Sequence, residues 1–298
     1  MIRSAKLRIV KTATLEIAFE EGGPTEGRPV VLLHGFPDDP RSWDGVVAPL
    51  INLGFKTVVP YLRGFGPTRF VYPDTPRSGQ QAALAYDVNG LIDRLNLPKP
   101  ILCGFDWGAR AACTTSVLWP AKIGGLITIG GYNVEDLTID QQPASAEQEQ
   151  RGWYQWYFHT HRGRKGLERN RRGFCRLLWQ LWSPNWKFSD AEFEETAASF
   201  DNPDFVEIVI HSYRHRYGVA PGDPELEGLE KRLVGQPPIS VPTIVLHGEG
   251  DGVHSDSLSE DQEELFSGSY ERRLIPRVGH LFPREAPEAV VQAVQDLS

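Results

Sequence analysis

The residues best suited to covalent chemistry lie in the stretch Gly104–Gly108, where Asp106 stands between two glycines. The apolar run Pro100–Cys103 precedes this stretch, and small residues with a helical pattern follow it as far as Pro120. A strand that turns at once into a helix is the pattern of a nucleophile elbow, which projects its central side chain at the positive end of the helix. A carboxylate placed there attacks alkyl carbon and forms an ester that water cleaves. We therefore predict that Asp106 is a covalent nucleophile.

Two residues near the end of the chain are predicted to serve this nucleophile. Asp251 stands in a glycine-rich loop after the apolar run Thr243–Leu246, and His280 follows the apolar segment Leu274–Pro276. The chain order of nucleophile, acid and histidine is that of a catalytic triad, and parallel sheets bind ligands beyond the carboxyl ends of their strands. We predict that His280 is the general base and that Asp251 orients it. Glu249 is the alternative acid, and Asp251 is preferred because it lies further into the loop.

Short apolar runs separated by helical patterns predict an α/β fold, in which helices cover both faces of a mostly parallel sheet. The predicted buried strands are Val30–Leu33, Phe55–Pro60, Pro100–Cys103, Leu126–Ile129 and Thr243–Leu246. The alternating segment Thr14–Glu20 predicts a half-exposed strand near an edge of the sheet. Ser78 is predicted to cap the helix whose apolar face begins at Leu84.

This alternation stops between residues 133 and 236, where the chain is rich in aromatic residues and arginine and has no run typical of a buried strand. We predict that residues 133–236 form a helical cap, inserted into a core domain of residues 1–132 and 237–298. The basic cluster within 162–172 is interpreted as a solvated helix face, because the whole chain is acidic.

Composition narrows the possible functions of the chain. A net charge of −8 argues against binding to nucleic acid or to a membrane surface. The three cysteines cannot all pair, and we expect buried, reduced thiols. The sequence has neither a signal segment nor a membrane-spanning run, which predicts a cytoplasmic protein, monomeric or homodimeric. Neither a metal nor an organic cofactor is predicted, because the His and Cys residues lack ligand spacing and no phosphate-binding glycine loop is present.

From about residue 28 onward, the chain resembles α/β-hydrolases of the epoxide hydrolase and haloalkane dehalogenase branch, which carry a helical cap. His34–Pro37 resembles the oxyanion loop of that branch, Gly104–Gly108 its aspartate elbow and Arg63–Gly66 the loop after its fourth strand. The resemblance implies that the backbone N–H groups of Phe36 and Trp107 form an oxyanion hole, while His34 only orients its loop. The substrate pocket that it implies includes Phe36, Pro37, Trp107 and Tyr157.

Two tyrosines of the predicted cap favour the epoxide hydrolases within this branch. Those enzymes carry one tyrosine in a Tyr-x-x-x-Phe pattern and one directly before arginine, and Tyr154 and Tyr213 match these positions. A neutral tyrosine donates a hydrogen bond throughout the physiological pH range. The resemblance therefore implies hydrolysis of a small-molecule epoxide by water to a vicinal diol, through an ester on Asp106. Tyr157 and Tyr217 are the alternative donors.

Two other functions are compatible with these residues. A haloalkane or haloacetate dehalogenase uses the same aspartate, and Trp107 matches one of its halide donors. Phe36, however, replaces the polar halide ligand of many haloalkane dehalogenases. Fluoroacetate dehalogenases share Arg110 but have a second arginine where this chain has Trp107. A non-catalytic ligand-binding protein of the same fold is the third possibility, and the complete triad argues against it.

Overall fold

One sheet of nine strands forms the centre of the computed structural model, which describes residues 6–138 and 143–298. Residues 1–5 of the predicted core domain and residues 139–142 of the predicted cap lie outside the described residues. The strands are β1 (Lys6–Lys11), β2 (Leu15–Gly22), β3 (Pro29–Leu33), β4 (Lys56–Pro60), β5 (Arg69–Phe70), β6 (Ile101–Phe105), β7 (Gly125–Ile129), β8 (Thr243–Gly248) and β9 (Tyr270–Ile275).

The strand order is β1-β2-β4-β3-β6-β7-β8-β9, with β5 paired to β2. Strands β3, β4 and β6 to β9 run parallel, whereas β1 and β2 form an antiparallel edge. All residues of β3, β6, β7 and β8 are buried, as continuous apolar runs predict for strands covered on both faces. The α/β fold predicted from the sequence is confirmed.

Eleven α-helices occur in the described residues. They are α1 (Asp44–Asn52), α2 (Gln81–Leu95), α3 (Trp107–Leu118), α4 (Ala146–Arg151), α5 (Trp153–His159), α6 (His161–Trp182, kinked at Asn170), α7 (Asp190–Ala197), α8 (Phe205–Arg216), α9 (Glu227–Glu230), α10 (Phe282–Glu285) and α11 (Pro287–Asp296). Short 3₁₀ turns lie at Pro40–Trp43, Pro120–Lys122, Ala198–Asp201, Pro224–Leu226, Lys231–Leu233, Asp256–Ser259 and Glu263–Leu265. Among the helices described, none is both long and apolar enough to cross a bilayer.

Two local predictions from the sequence are wrong. Ser78 does not cap α2, because the chain is still extended at Gln80 and the Ser78 hydroxyl bonds to the Gln80 side chain instead. Strand β2 is not half-exposed, since Ala18 and Glu20 on its second face are also buried. The Glu20 carboxylate can be buried because it forms an ion pair with the buried Arg41 guanidinium.

Between β7 and β8 the described chain is helical, and α5, α6 and α8 lie against the carboxyl edge of the sheet. Apolar residues of these helices and of the sheet form one continuous hydrophobic cluster. At its centre, the Phe36 ring contacts the rings of Trp107, Trp182 and Tyr213. The indole Nε1 of Trp179 on α6 also donates a hydrogen bond of 2.8 Å to the Pro37 carbonyl. The helices are thus fixed directly to the loop that follows β3.

Candidate active site

Asp106 lies at a sharp turn between β6 and α3, with the unusual backbone angles φ 52° and ψ −122°. Positive φ is strained for a residue with a side chain, so the surroundings must hold this conformation. Glycines on both sides of Asp106 let the strand, the turn and the helix pack closely enough to do so. A Cβ atom at Gly104 would collide with the Gly108 carbonyl, and one at Gly108 would collide with the Leu33 carbonyl. The elbow predicted from the sequence is therefore the local conformation of the chain.

Two backbone amides point at the Asp106 carboxylate. The Phe36 N–H donates to Oδ1 at 2.7 Å, and the Trp107 N–H also donates to this carboxylate. Strands β3 and β6 are neighbours with Leu33 opposite Gly104, which brings the loop after β3 onto the elbow. Gly35 permits the approach, since a Cβ there would strike the Asp106 side chain. The two predicted oxyanion donors thus lie together, and both donate to the Asp106 carboxylate.

The predicted histidine and acid lie beside this carboxylate. His280 Nε2 is 3.5 Å from Asp106 Oδ2, and His280 Nδ1 is 2.8 Å from Asp251 Oδ2. The other oxygen of Asp251 accepts hydrogen bonds from the backbone N–H groups of Val253 and His254. The alternative acid, Glu249, is exposed to solvent. The structure therefore places Asp251, and not Glu249, in contact with the histidine.

The charges of these groups stabilise one another. Burial disfavours the imidazolium of His280, but the carboxylates of Asp251 and Asp106 outweigh burial and raise the pKa of His280 to about 10. Burial likewise opposes the ionised form of Asp251, but His280 and the local hydrogen bonds lower its pKa to about 2. For Asp106, the histidine and the two amides overcome burial and lower the pKa. In the resting site both acids are anionic and the histidine is cationic.

His34 has a structural role that its hydrogen bonds define. Its Nε2 accepts a hydrogen bond from the Leu62 N–H at 3.1 Å, so its Nδ1 carries the proton and donates to the Gly35 carbonyl at 3.0 Å. Complete burial lowers the pKa of His34 to about 4, which keeps it neutral. His34 therefore fixes the oxyanion loop, as the sequence predicts, and is not available as a base.

The two predicted tyrosine donors lie over the nucleophile. Tyr154 on α5 and Tyr213 on α8 are each 2% exposed, and their ring centroids are 5.4 Å apart. Burial, followed by the negative charge of Asp106, raises the pKa of Tyr154. Burial also raises the pKa of Tyr213, with further contributions from Tyr154 and Asp106. Both phenols therefore keep their protons, and they can donate to an oxygen held between them and Asp106.

These residues enclose a cavity of about 20 Å³, which is room for about one water molecule. Its lining residues are Asp106, Trp107, Arg110, Ile129, Gly130, Asn133, Tyr154, Tyr213, Arg216, His254 and His280. An open cleft of about 1200 Å³ lies next to it, and His254 and Arg216 line both spaces.

Three residues of the predicted substrate pocket do not line this cavity. The Phe36 ring lies behind the lining, stacked on Trp107, and the buried Pro37 faces α6 through its carbonyl. The Tyr157 ring stacks on Phe174 of α6, with a centroid distance of 5.9 Å. Tyr157 is only about 60° around α5 from Tyr154, but this is enough to direct its ring into the packing between α5 and α6. The alternative donor Tyr217 instead donates a hydrogen bond of 2.6 Å to Gln155 Oε1.

Sequence reasoning missed Asn133, Arg216 and His254. His254 follows the acid by three residues, and its backbone N–H bonds to Asp251, so its place in the acid loop was a usable signal. Arg216 lies three residues after Tyr213 on α8, a spacing that puts both side chains on one face of the helix. Asn133 has no signal in the sequence, because the path of the chain after β7 decides its position.

The order of the strands, the elbow and the triad geometry define a hydrolase fold, and the family comparison agrees. Residues 28–287 match the family model described as the alpha/beta hydrolase fold. The chain belongs to this family, and the resemblance noted in the sequence is confirmed.

Individual relatives carry a more specific name. A candidate epoxide hydrolase from Klebsiella pneumoniae subsp. pneumoniae has a crystal structure that superposes with a TM-score of 0.95, at 42% identity over 98% of this chain and 97% of that one. Epoxide hydrolase A from Mycobacterium tuberculosis is 23% identical over 96% of this chain and 95% of its own length. Epoxide hydrolase 2 from Siraitia grosvenorii is 34% identical over 103 residues. That alignment spans 35% of this chain and only about a third, 32%, of the relative.

Proposed function

We propose that this protein is an epoxide hydrolase that converts an epoxide to a vicinal diol through an ester on Asp106. One observation carries the proposal: the two buried tyrosine side chains of α5 and α8 line the same cavity as the nucleophile and its histidine. An epoxide oxygen remains attached to the product, so it needs a proton donor above the ring, and these phenols are neutral donors in that position. The names of the relatives support the same activity.

The first step is attack on carbon. Asp106 Oδ1 is held by the Phe36 amide, which leaves Oδ2 to form the bond to an epoxide carbon. The carbon–oxygen bond of the ring breaks, and the ring oxygen takes a proton from Tyr154 or Tyr213. The resting cation of His280 restores that proton to the phenolate through the cavity or solvent. This transfer leaves His280 neutral, beside an ester that carries no charge.

The second step is hydrolysis of the ester. His280, held by Asp251, takes a proton from water, and the resulting hydroxide attacks the carbonyl carbon of Asp106. The negative charge develops on Oδ1, which the Phe36 amide holds, and the Trp107 amide, which also donates to this carboxyl group, adds to its stabilisation. Collapse of the intermediate releases the diol oxygen, which receives the proton from His280. Asp106, now a carboxylic acid with one oxygen from water, passes its remaining proton to the neutral His280, which restores the carboxylate and the histidine cation of the resting site.

The experiment that tests this scheme is trapping of the ester. His280→Gln is expected to open the epoxide and accumulate an adduct of one substrate mass on the peptide that contains Asp106. Asp106→Ala is expected to show neither adduct nor turnover. His161→Gln is the matched control, because it removes a solvent-exposed histidine at the start of α6, and it should turn over normally. If the diol from a single turnover in labelled water contains solvent oxygen, direct attack by water replaces the covalent scheme.

A dehalogenase is the second candidate, and one observation favours it. Trp107 lines the cavity, and its indole Nε1 is buried and has no hydrogen-bond partner among the described residues. An unpartnered buried donor beside the nucleophile is a suitable site for a departing halide. Parallel assays with epoxides, haloalkanes and fluoroacetate distinguish the two activities. Halide release without diol formation would establish the dehalogenase.

Residues 133–236 are proposed to act as the cap in this scheme. They contribute Tyr154, Tyr213 and Arg216 to the cavity, whereas the nucleophile, base and acid come from the chain on either side. The reacting end of a substrate would occupy the small cavity, and its remaining part would extend into the adjoining cleft past His254 and Arg216.

A further inference from the structure

The hydrolysis step needs a water molecule that is held in place as well as deprotonated. A water molecule has two O–H bonds, and His280 takes the proton of only one. The other O–H bond needs an acceptor, because an unpaired polar group in a buried site is costly and a fixed nucleophile reacts faster than a mobile one. His280 lines a cavity with room for about one water molecule. An acceptor in the same lining would hold that water against the ester on Asp106.

Asn133 lies in this lining because of the turn that follows β7. Gly130 and Gly131 have φ angles of 97° and 104°, a conformation that favours glycine, and the chain turns back on itself there. The half-buried Asn133 amide is thereby brought within hydrogen-bond distance of the Thr128 side chain in β7.

Hydrogen bonds fix which way the Asn133 amide faces. Its Nδ2 donates to the Gly131 carbonyl at 2.8 Å and to Thr128 Oγ1 at 3.3 Å. The Thr128 hydroxyl donates its own proton to the Gly131 carbonyl at 2.7 Å, so it can only accept from Asn133. The reversed amide would place its oxygen against two acceptors. Both protons of Nδ2 are therefore used, whereas Oδ1 accepts no hydrogen bond from the residues that the structure describes.

We infer that Asn133 Oδ1 accepts a hydrogen bond from the water molecule that hydrolyses the ester. This inference rests on the proposed ester on Asp106 and adds a catalytic residue to its second step. One O–H bond of the water points to His280 Nε2 and the other to Asn133 Oδ1, which leaves a lone pair of the oxygen for the carbonyl carbon of Asp106.

The balance of the step is simple. As the oxygen–carbon bond forms, the O–H bond that points to His280 breaks and its proton passes to Nε2, while the other O–H bond stays intact on Asn133. Asn133 neither gains nor loses a proton. A neutral acceptor suits this position, because another carboxylate beside His280 would stabilise its cation and make the ring a weaker base. The first step does not use Asn133, since the nucleophile there is the Asp106 carboxylate.

The test measures the two steps separately in Asn133→Ala, by rapid quench of the ester during a single turnover of an epoxide. Alkylation should keep its wild-type rate. Ester hydrolysis should slow by about tenfold, the effect of losing one hydrogen bond between neutral groups. In the steady state kcat and KM should fall together, so that kcat/KM, which reports the steps up to alkylation, stays unchanged.

Two further variants control this measurement. Asn89→Ala is the matched control, because it removes a half-buried asparagine oxygen on α2, outside the cavity lining, where it accepts from Lys122 Nζ at 2.8 Å. Both steps should keep their wild-type rates in this control. Thr128→Val removes one acceptor of the Asn133 amide but keeps Oδ1, and the Gly131 carbonyl still holds the amide. Ester hydrolysis should therefore slow less than in Asn133→Ala.

Three results would overturn the inference. Wild-type ester hydrolysis in Asn133→Ala would mean that another group holds the water. Equal slowing of both steps in that variant, or a larger loss in Thr128→Val, would mean that Asn133 acts only through the local fold.

Failure of the proposed function would give a different result. If no epoxide forms an ester on Asp106, the epoxide hydrolase assignment is removed, but a haloalkane would form an alkyl ester on the same carboxylate. Hydrolysis of that ester would test Asn133 in the same way. Conversely, diol formation with unchanged ester hydrolysis in Asn133→Ala would keep the epoxide hydrolase and remove the role of Asn133.

Discussion

Three histidines near the nucleophile have different pKa values because their surroundings differ. His34 and His254 each have a pKa lowered to about 4, because burial disfavours their charged forms more than nearby carboxylates favour them. His280 experiences the same burial but contacts two carboxylates, and its pKa rises to about 10. The contacts of each ring, rather than depth alone, thus select the one histidine that exchanges protons in the proposed mechanism.

The pKa of His280 should fall when Asp106 loses its charge. In the ester Asp106 is neutral, so one of the two carboxylates that stabilise the imidazolium is absent, and the histidine becomes a usable base. Asp106→Asn mimics this change with little change in shape. We expect NMR titration of the His280 ring to give a pKa well below about 10 in this variant. An unchanged pKa would mean that Asp251 alone sets the charge of His280.

The two tyrosines should share the role of acid in ring opening. Tyr154→Phe and Tyr213→Phe each remove one of two donors, so each should slow alkylation on the order of 10²–10³-fold and leave ester hydrolysis nearly unchanged. The double substitution should abolish ring opening. Rapid-quench measurement of the ester separates the two steps, and Tyr157→Phe is the control, because its ring lies against Phe174. Full activity in either single variant would remove that tyrosine from the mechanism.

A site residue can be predicted from the sequence when it directly follows a recognisable strand. Asp106, Asp251 and His280 each follow a strand of the parallel sheet, and the sheet then brings them together. Arg216 and Tyr157 could not be placed this way. Both lie on helices between β7 and β8, α5 and α8, where a small rotation about the helix axis decides whether a side chain faces the cavity or a neighbouring helix.

At the scale of elements, the loop after β3 connects the sheet with the helices above it. Asp38 in this loop forms an ion pair with Arg284 at 2.6 Å, and Asp39 accepts hydrogen bonds from Ser199 at 2.6 Å and Thr196 at 3.2 Å. The same loop carries the Phe36 amide that holds the nucleophile. A change in the charge of this acidic pair would therefore affect both the contacts with Thr196 and Ser199 and the loop that carries the Phe36 amide.

Asp39 should make stability depend on pH. Burial, and then the charge of Asp38, raise its pKa to about 7, so the folded protein holds a proton on Asp39 that the unfolded chain releases near pH 4. The resulting stabilisation is fully present below about pH 4 and is lost as the pH rises through about 7. Asp39→Asn should therefore match the wild type most closely at about pH 4, because at higher pH the unfolded wild-type chain already releases its proton from Asp39. At about pH 9 it should be more stable, by on the order of a few kcal/mol.

Denaturant unfolding of both proteins at the two pH values measures this difference. A difference in the free energy of unfolding that stays constant with pH would show that Asp39 is ionised throughout.

The elements themselves were predicted with uneven success. The five continuous apolar runs correspond to five of the six parallel strands, because burial on both faces leaves a sequence signal that local context does not alter. The sixth, β9, is only partly buried and was not among them. The capping of α2 was not predictable from residue type. Ser78 has a suitable hydroxyl, but Arg63 bonds to its carbonyl and Gln80 to its side chain, which holds the segment extended for two more residues.

At the scale of the whole molecule, the sheet and the helices above it share one hydrophobic cluster. The reactivity of the three cysteines can show whether the two parts unfold together. Cys103 and Cys113 lie in β6 and α3, whereas Cys175 lies in α6, and all are fully buried, free thiols. We expect no rapid reaction with a thiol reagent in the folded protein. Because the cluster is continuous, all three should become reactive at one denaturant midpoint. If mass spectrometry detected labelling of Cys175 at lower denaturant than labelling of Cys103 and Cys113, α6 would unfold before the sheet.

The elbow at Asp106 has a consequence for the divergence of this family. Its strained backbone is held by the close packing at Gly35, Gly104 and Gly108, and none of these contacts requires that the side chain at 106 be a carboxylate. The amides of Phe36 and Trp107 would serve an oxyanion on a bound acyl group as well as they serve an aspartate oxygen. A new nucleophile can thus replace the old one without the scaffold being rebuilt. Selection for a different reaction therefore acts mainly on the helices that cover the sheet, where substrates are distinguished, and leaves the elbow unchanged.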